Sequence, residues 1–103
     1  PSQLKAYFDR LARAGITFKY TETGPVGLLQ DKPVFIFATR GGLYQGTSAD
    51  SQTPFVSAFL NFSGLKDLNY IYAEGLNMGP ESAEKALTAA KARIAELAPA
   101  VAA

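Results

Sequence analysis

An α/β fold built on a parallel sheet is what this sequence predicts, and three observations carry the prediction. Val34-Phe35-Ile36-Phe37-Ala38 is an unbroken apolar run, short and rich in β-branched and aromatic residues, as in a strand buried on both faces. Leu68-Asn69-Tyr70-Ile71-Tyr72-Ala73-Glu74 is a second strand-like stretch of aromatic and β-branched residues. Between them, the segment from Thr53 to Ser63 carries helical spacing. Strand, helix and strand at this separation make a right-handed crossover, with the two strands as parallel neighbours.

The remaining elements follow in chain order. Ser2 to Ala14 carries Leu4, Tyr7, Phe8, Leu11 and Ala14 at amphipathic-helix spacing, with Gly15 as its stop. Ile16 to Thr21 alternates apolar and polar residues. Glu22-Thr23-Gly24-Pro25 is turn punctuation, and Val26 to Leu29 returns as a partner strand, which gives a short hairpin with Tyr20 near its tip. Leu43 to Gln52 is a long polar loop without periodicity, of the kind that is usually functional or mobile. Thr53 is placed to cap the middle helix, with Pro54 at its first position. Pro80 opens a last helix, whose Ala83, Leu87, Ala90, Ile94, Leu97 and Val101 form one seam suited to lying across a sheet, and Pro99 is expected to fray its end.

The candidate site lies where the first buried strand stops, at Thr39-Arg40-Gly41-Gly42. Ligands of open α/β sheets bind outside the carboxyl ends of the strands, and paired glycines let backbone N–H groups approach a flat or anionic ligand closely. The plainer alternative is a strand exit in which the glycines only make the turn. Glu74, at the end of the second strand, reads better as a satisfied loop carboxylate than as a ligand acceptor.

Composition narrows the chemistry. At 103 residues and 48% hydrophobic, the chain suffices for one small domain with a modest core and is not disordered. Its net charge of +1, with the signs well mixed, offers no stripe for nucleic acid and no juxtamembrane cluster, and the longest apolar run is too short for a bilayer. Cysteine and histidine are both absent, so disulfides, thiolate metal sites, cysteine nucleophiles and histidine bases are excluded. Any redox chemistry must come from a bound cofactor. A cytoplasmic setting fits this composition. Pro1 stands in place of Met with helical sequence already under way, and two doubly buried strands cannot cover themselves with three helices and a hairpin. The sheet is therefore expected to carry further strands from an amino-terminal part of the same polypeptide.

PSQLKAYFDRLARAGITFKYTETGPVGLL, TRGG after an apolar strand, TPFVSAFLNFSGLKDLNYIYAEG and a closing GPE helix together resemble the FMN-dependent NADH-azoreductases, also described as NADH:quinone oxidoreductases. The resemblance covers essentially the whole chain but only the carboxyl half of such a protein. It implies that residues 1–103 are that half of a single domain with a flavodoxin-like, doubly wound parallel sheet, seen here as two central strands, three helices and a hairpin excursion. Thr39, Arg40, Gly41, Gly42 and Tyr44 are implied to bind FMN, with Thr39 standing where the family usually has serine. Tyr20, Phe62 and Tyr72 are implied to wall a substrate pocket at the interface of a homodimer. The implied reaction passes hydride from NADH through flavin to quinones or azo compounds by a ping-pong mechanism, with reductive cleavage of the azo bond. No protein nucleophile and no metal is implied.

Two rival classes remain at this level. A hydrolase needs a metal or an activated nucleophile, and neither is evident in these residues. A flavodoxin-like electron carrier or flavin-binding interaction module, without its own NADH oxidation, would use the same loop and dock a protein against the exposed rings.

Overall fold

The structure, a computed structural model, describes the backbone of residues 1–102 and the side chains of residues 1–99. The elements run α1 (Ser2–Leu11), β1 (Phe18–Thr21), β2 (Gly24–Gly27), β3 (Val34–Thr39), α2 (Gln52–Phe62), β4 (Leu68–Ala73) and α3 (Pro80–Ala102). They gather into two units, Pro1–Lys32 with Gln52–Asp67, and Pro33–Ser51 with the chain from Leu68 onward.

In the first unit α1 buries one ring, Phe8, which stacks on Phe59 of α2 at 4.3 Å and tilts against Phe55 at 5.9 Å. Leu4 and Tyr7, assigned to the same apolar face by their spacing, stay exposed. The helix also ends at Leu11, short of the predicted Ala14. Thr17 is the reason. Its buried hydroxyl donates to the Leu11 carbonyl at 2.7 Å and accepts the Arg13 N–H at 2.9 Å, so a side chain satisfies the groups another turn would have used.

The hairpin is tighter than its sequence suggests. Thr21 pairs with Gly24 and Tyr20 with Pro25, so the turn shrinks to Glu22-Thr23 and the predicted turn residues Gly24 and Pro25 stand in β2. Proline is tolerated there because β2 is an edge strand. Beyond it, Leu29 donates to the Ser63 carbonyl at 3.0 Å, tying the strand exit to the end of α2. A Cβ on Gly27 would enter the backbone of Gly64, and one on Gly64 would stand 2.7 Å from the Leu29 carbonyl oxygen. Two glycines face each other because neither position has room for a side chain. The middle helix starts at Gln52, one step ahead of the predicted cap at Thr53, and buries Val56 and Leu60.

In the second unit β3 and β4 pair in parallel, in register from Val34↔Leu68 to Thr39↔Ala73, as predicted. Ile71 and Ala73 on one face of β4 are buried with Ala90 of α3, and Phe35, Leu76 and Leu97 pack around them. Alternation puts Tyr70 and Tyr72 on the other face, stacked at 5.5 Å with planes 9° apart. The last helix runs through Pro99 to Ala102 and does not fray there, because proline removes one ladder bond near the end and leaves the preceding turns intact. Its predicted seam is only partly covered. Ala90 and Leu97 pack, whereas Leu87 and Ile94 are exposed, and Val101 lies outside the described side chains. Phe37, in the middle of β3, is 64% exposed. Among the described residues, no helix is long and apolar enough to cross a membrane.

Candidate functional site

Parallel pairing decides the centre of the site. With Thr39 opposite Ala73, the residues that leave the two strands, Arg40 and Glu74, become neighbours. The Arg40 N–H continues the ladder by donating to the Ala73 carbonyl at 3.0 Å. Its side chain is only 6% exposed, and its planar fork grips Asp50, with Nη1 to Oδ2 at 3.0 Å and Nη2 to Oδ1 at 3.1 Å. Nη1 also donates to Glu74 Oε2 at 3.1 Å, and the guanidinium sits 5.2 Å over the Tyr72 ring. Glu74 meanwhile accepts the backbone N–H groups of Tyr44 at 3.0 Å and Gln45 at 3.1 Å. One buried cation and two buried carboxylates thus hold both ends of the stretch from Arg40 to Asp50. The long polar loop is stitched down along its length, with Thr47 and Asp50 adding turn bonds to Tyr44 and Thr47.

The electrostatics follow from the burial and the partners. Burial opposes the charge on Glu74, but the N–H groups of Tyr44 and Gln45 and the Arg40 guanidinium outweigh it, holding the carboxyl below its ordinary range. Burial likewise opposes the charge of Arg40, and its bonds to Asp50 and Glu74 more than restore it. Among the described residues there is no group of acidic, histidine or cysteine side chains that could hold a metal.

The glycines sit on top of this clamp. The carbonyls of Arg40, Gly41 and Gly42 accept from Leu76, Asn77 and Gly75 at 3.1, 3.0 and 3.0 Å, so the loop's acceptors are used within the protein. The N–H groups of Gly41 and Gly42 have no protein acceptor among the described residues. A Cβ on Gly41 would stand 2.7 Å from Asn77 Nδ2, and one on Gly42 3.0 Å from the Tyr44 hydroxyl. The two glycines thus make room for Asn77 and Tyr44, and what the loop leaves over is a backbone edge with donors to spare. Such an edge suits a planar ligand rich in carbonyl acceptors, and the residues present fit the ring of a flavin. Thr39 is exposed beside it and Tyr44 lies against Gly42. Arg40 differs from the other four predicted binding residues, since its charged group faces inward to Asp50 and Glu74.

Of the three predicted pocket rings, Tyr20 and Phe62 come together in the first unit through Phe18. Tyr20 meets Phe18 edge to face at 5.4 Å and is 74% exposed, while Phe62 is half-buried and tilted against the same ring at 4.7 Å. Tyr72 belongs to the second unit, stacked on Tyr70 and beneath Arg40. Sequence reasoning missed Asp50, for which a lone acid in a polar loop gives no signal. It read Glu74 correctly as a satisfied carboxylate but did not name its partners. The strand alignment held that information, because charged residues following two parallel strands must end up side by side.

Comparison with known proteins places this geometry in context. The profile of a family described as having a flavodoxin-like fold matches residues 1–98. An FMN-dependent NADH:quinone oxidoreductase of Alteromonas mediterranea is 63% identical over 97 residues, covering 94% of this chain and 48% of that protein. A protein of the same description from Cellvibrio japonicus is 63% identical, covering 91% and 46%. The chain thus spans about half the length of the curated relatives it matches. Among solved structures, an azoreductase from Bacillus anthracis is similar with a TM-score of 0.77 and 38% identity, over 90% of this chain and 49% of that one. An FMN-dependent NADH-azoreductase from the same species, in complex with FMN, is similar with a TM-score of 0.71 and 34% identity, over 90% and 48%. The chain belongs to the flavodoxin-like family whose profile it matches.

Proposed function

We propose, with that family membership as the premise, that residues 1–103 are the carboxyl half of an FMN-dependent oxidoreductase that transfers hydride between NADH and quinone or azo acceptors. The observation that carries the reading is the backbone edge at Gly41-Gly42, where donors without protein acceptors sit on a loop clamped from behind. When bound, FMN supplies the two-electron relay between donor and acceptor. Thr39, Gly41, Gly42 and Tyr44 would hold its ring through hydroxyl, N–H and aromatic contact, while Arg40, whose backbone groups are bonded to Ala73 and Leu76, would act by shaping the loop. Tyr20, Phe62 and Tyr72 offer faces on which a planar acceptor stacks. The high exposure of Tyr20 supports a pocket completed by a second subunit of a homodimer. The exposed Phe37, Leu87 and Ile94 support further strands from an amino-terminal half of the domain. NADH as the donor fits a cytoplasmic location, and alternate entry of donor and acceptor at one site fits ping-pong kinetics and reductive azo cleavage.

The experiment uses the full-length protein under anaerobic conditions. NADH alone should bleach the flavin absorbance and a quinone should restore it, with parallel double-reciprocal plots. Gly41→Val, which adds a branched Cβ against Asn77, should lower flavin retention. A flavin that NADH leaves oxidised would make the protein an electron carrier, and full retention in Gly41→Val would reduce the loop to a turn.

A further inference from the structure

We propose that Glu74 and Asp50 are positioning residues for the flavin. By holding the Arg40 guanidinium and the N–H groups of Tyr44 and Gln45, they set the backbone of residues 40–45 so that Gly41 and Gly42 present their donors outward. The inference rests on the flavin reading of the loop and adds two carboxylates whose bonds in the structure are to the loop itself.

The loop has no apolar anchor of its own. Leu43 is 64% exposed and Tyr44 41% exposed, so the hydrophobic effect does little to fix its path. What fixes it is polar. Glu74 bonds at once to Arg40, at the start of the loop, and to Tyr44 and Gln45, in its middle. Asp50 closes the far end onto the same guanidinium through two parallel bonds. Carbonyls at Arg40, Gly41 and Gly42 are drawn toward the β4 exit loop, which turns the corresponding peptide N–H groups away from it. The side chains of Arg40, Asp50 and Glu74 are 6, 7 and 10% exposed, so the charge pairs are screened little by solvent and have few alternative partners in water. Tyr72 adds a second consequence. Because its ring lies under the Arg40 guanidinium, the group that shapes the cofactor loop also shapes one predicted pocket wall.

Glu74→Gln tests this in the full-length protein, since it keeps an acceptor at the same reach and removes the charge. Asp50→Asn does the same at the far end, and Asp31→Asn, which alters a carboxylate capping a different loop, serves as control. FMN affinity is read by fluorescence titration of the apoprotein, beside the visible circular dichroism of the bound flavin and amide hydrogen exchange at Tyr44 and Gln45. Glu74→Gln should weaken FMN by about tenfold or more, the scale on which outer-shell partners act at metal sites. It should also alter the flavin dichroism and speed exchange at both amides, with Asp31→Asn unchanged. A folded Glu74→Gln protein with wild-type affinity, dichroism and exchange overturns the proposal. If that variant does not fold, Asp50→Asn decides by the same criteria. Wild-type protein that takes up no FMN sinks the flavin reading itself, an outcome distinct from unchanged variants of a protein that does bind it.

Discussion

Asp31 and Glu74 perform the same backbone task in different surroundings. Each carboxylate gathers the N–H groups of two consecutive residues from a segment distant in sequence: Lys66 and Asp67 for Asp31, Tyr44 and Gln45 for Glu74. Each carboxyl consequently lies below its ordinary range. For Asp31 the Lys66 N–H is the largest influence and the site is exposed to water. For Glu74 burial is the largest influence and works against the charge, so the N–H groups and Arg40 must overcome it together. Taking either of the Glu74 partners away strands a charge in a dry place, whereas water replaces whatever Asp31 loses. The same motif is a surface stitch in one case and a buried clamp in the other.

The largest test of that difference is truncation. Glu74→Ala leaves the buried Arg40 guanidinium with one carboxylate instead of two and frees two N–H groups. Removing one partner of a buried pair costs about 3–5 kcal/mol, and because Asp50 stays in place the lower end of about 3 kcal/mol is expected in urea unfolding of the full-length protein. A loss indistinguishable from that of a surface substitution would mean the clamp is solvated.

A finer test is pH. A carboxyl whose folded pKa is depressed adds stability that is complete above its unfolded value and lost as pH falls through the folded one. The unfolding midpoint of wild type should therefore exceed that of Glu74→Gln at neutral pH. The gap should narrow as the pH drops below 4.5, the ordinary value for this group. A gap that persists unchanged to strongly acid pH would show that charge is not what Glu74 supplies.

The smallest effect belongs to Asp31. Asp31→Asn keeps an acceptor for Lys66 and Asp67 at an exposed site, so the melting temperature should move within measurement error. A clear drop would bring the two carboxylates closer in kind than their burial indicates.

Legibility followed the same division between local pattern and distant partner. The apolar run at 34–38 and the aromatic run at 68–73 announced two strands by composition, and their separation announced parallel pairing; both hold. Element ends were less legible, because distant side chains decide them. Thr17 halts α1 from beyond the helix, and strand pairing draws Gly24 and Pro25 out of the turn. The seam of α3 shows a different limit. Periodicity marks residues able to be buried, but it does not bury them: Leu87 and Ile94 stay exposed while Ala90 and Leu97 pack.

By itself, the sequence determined where the backbone could form strands and helices and where the glycine edge would fall, since period, branching and missing Cβ atoms are local properties. It also removed histidine and cysteine chemistry from these residues, since neither is present. Only the tertiary structure decided that Arg40 would point inward. That outcome needs Glu74 from the neighbouring strand and Asp50 from the far end of a loop to arrive at one guanidinium. The strand register brings Glu74 beside Arg40, but charge attraction in a dry setting is what selects Asp50, and no spacing along the chain encodes that.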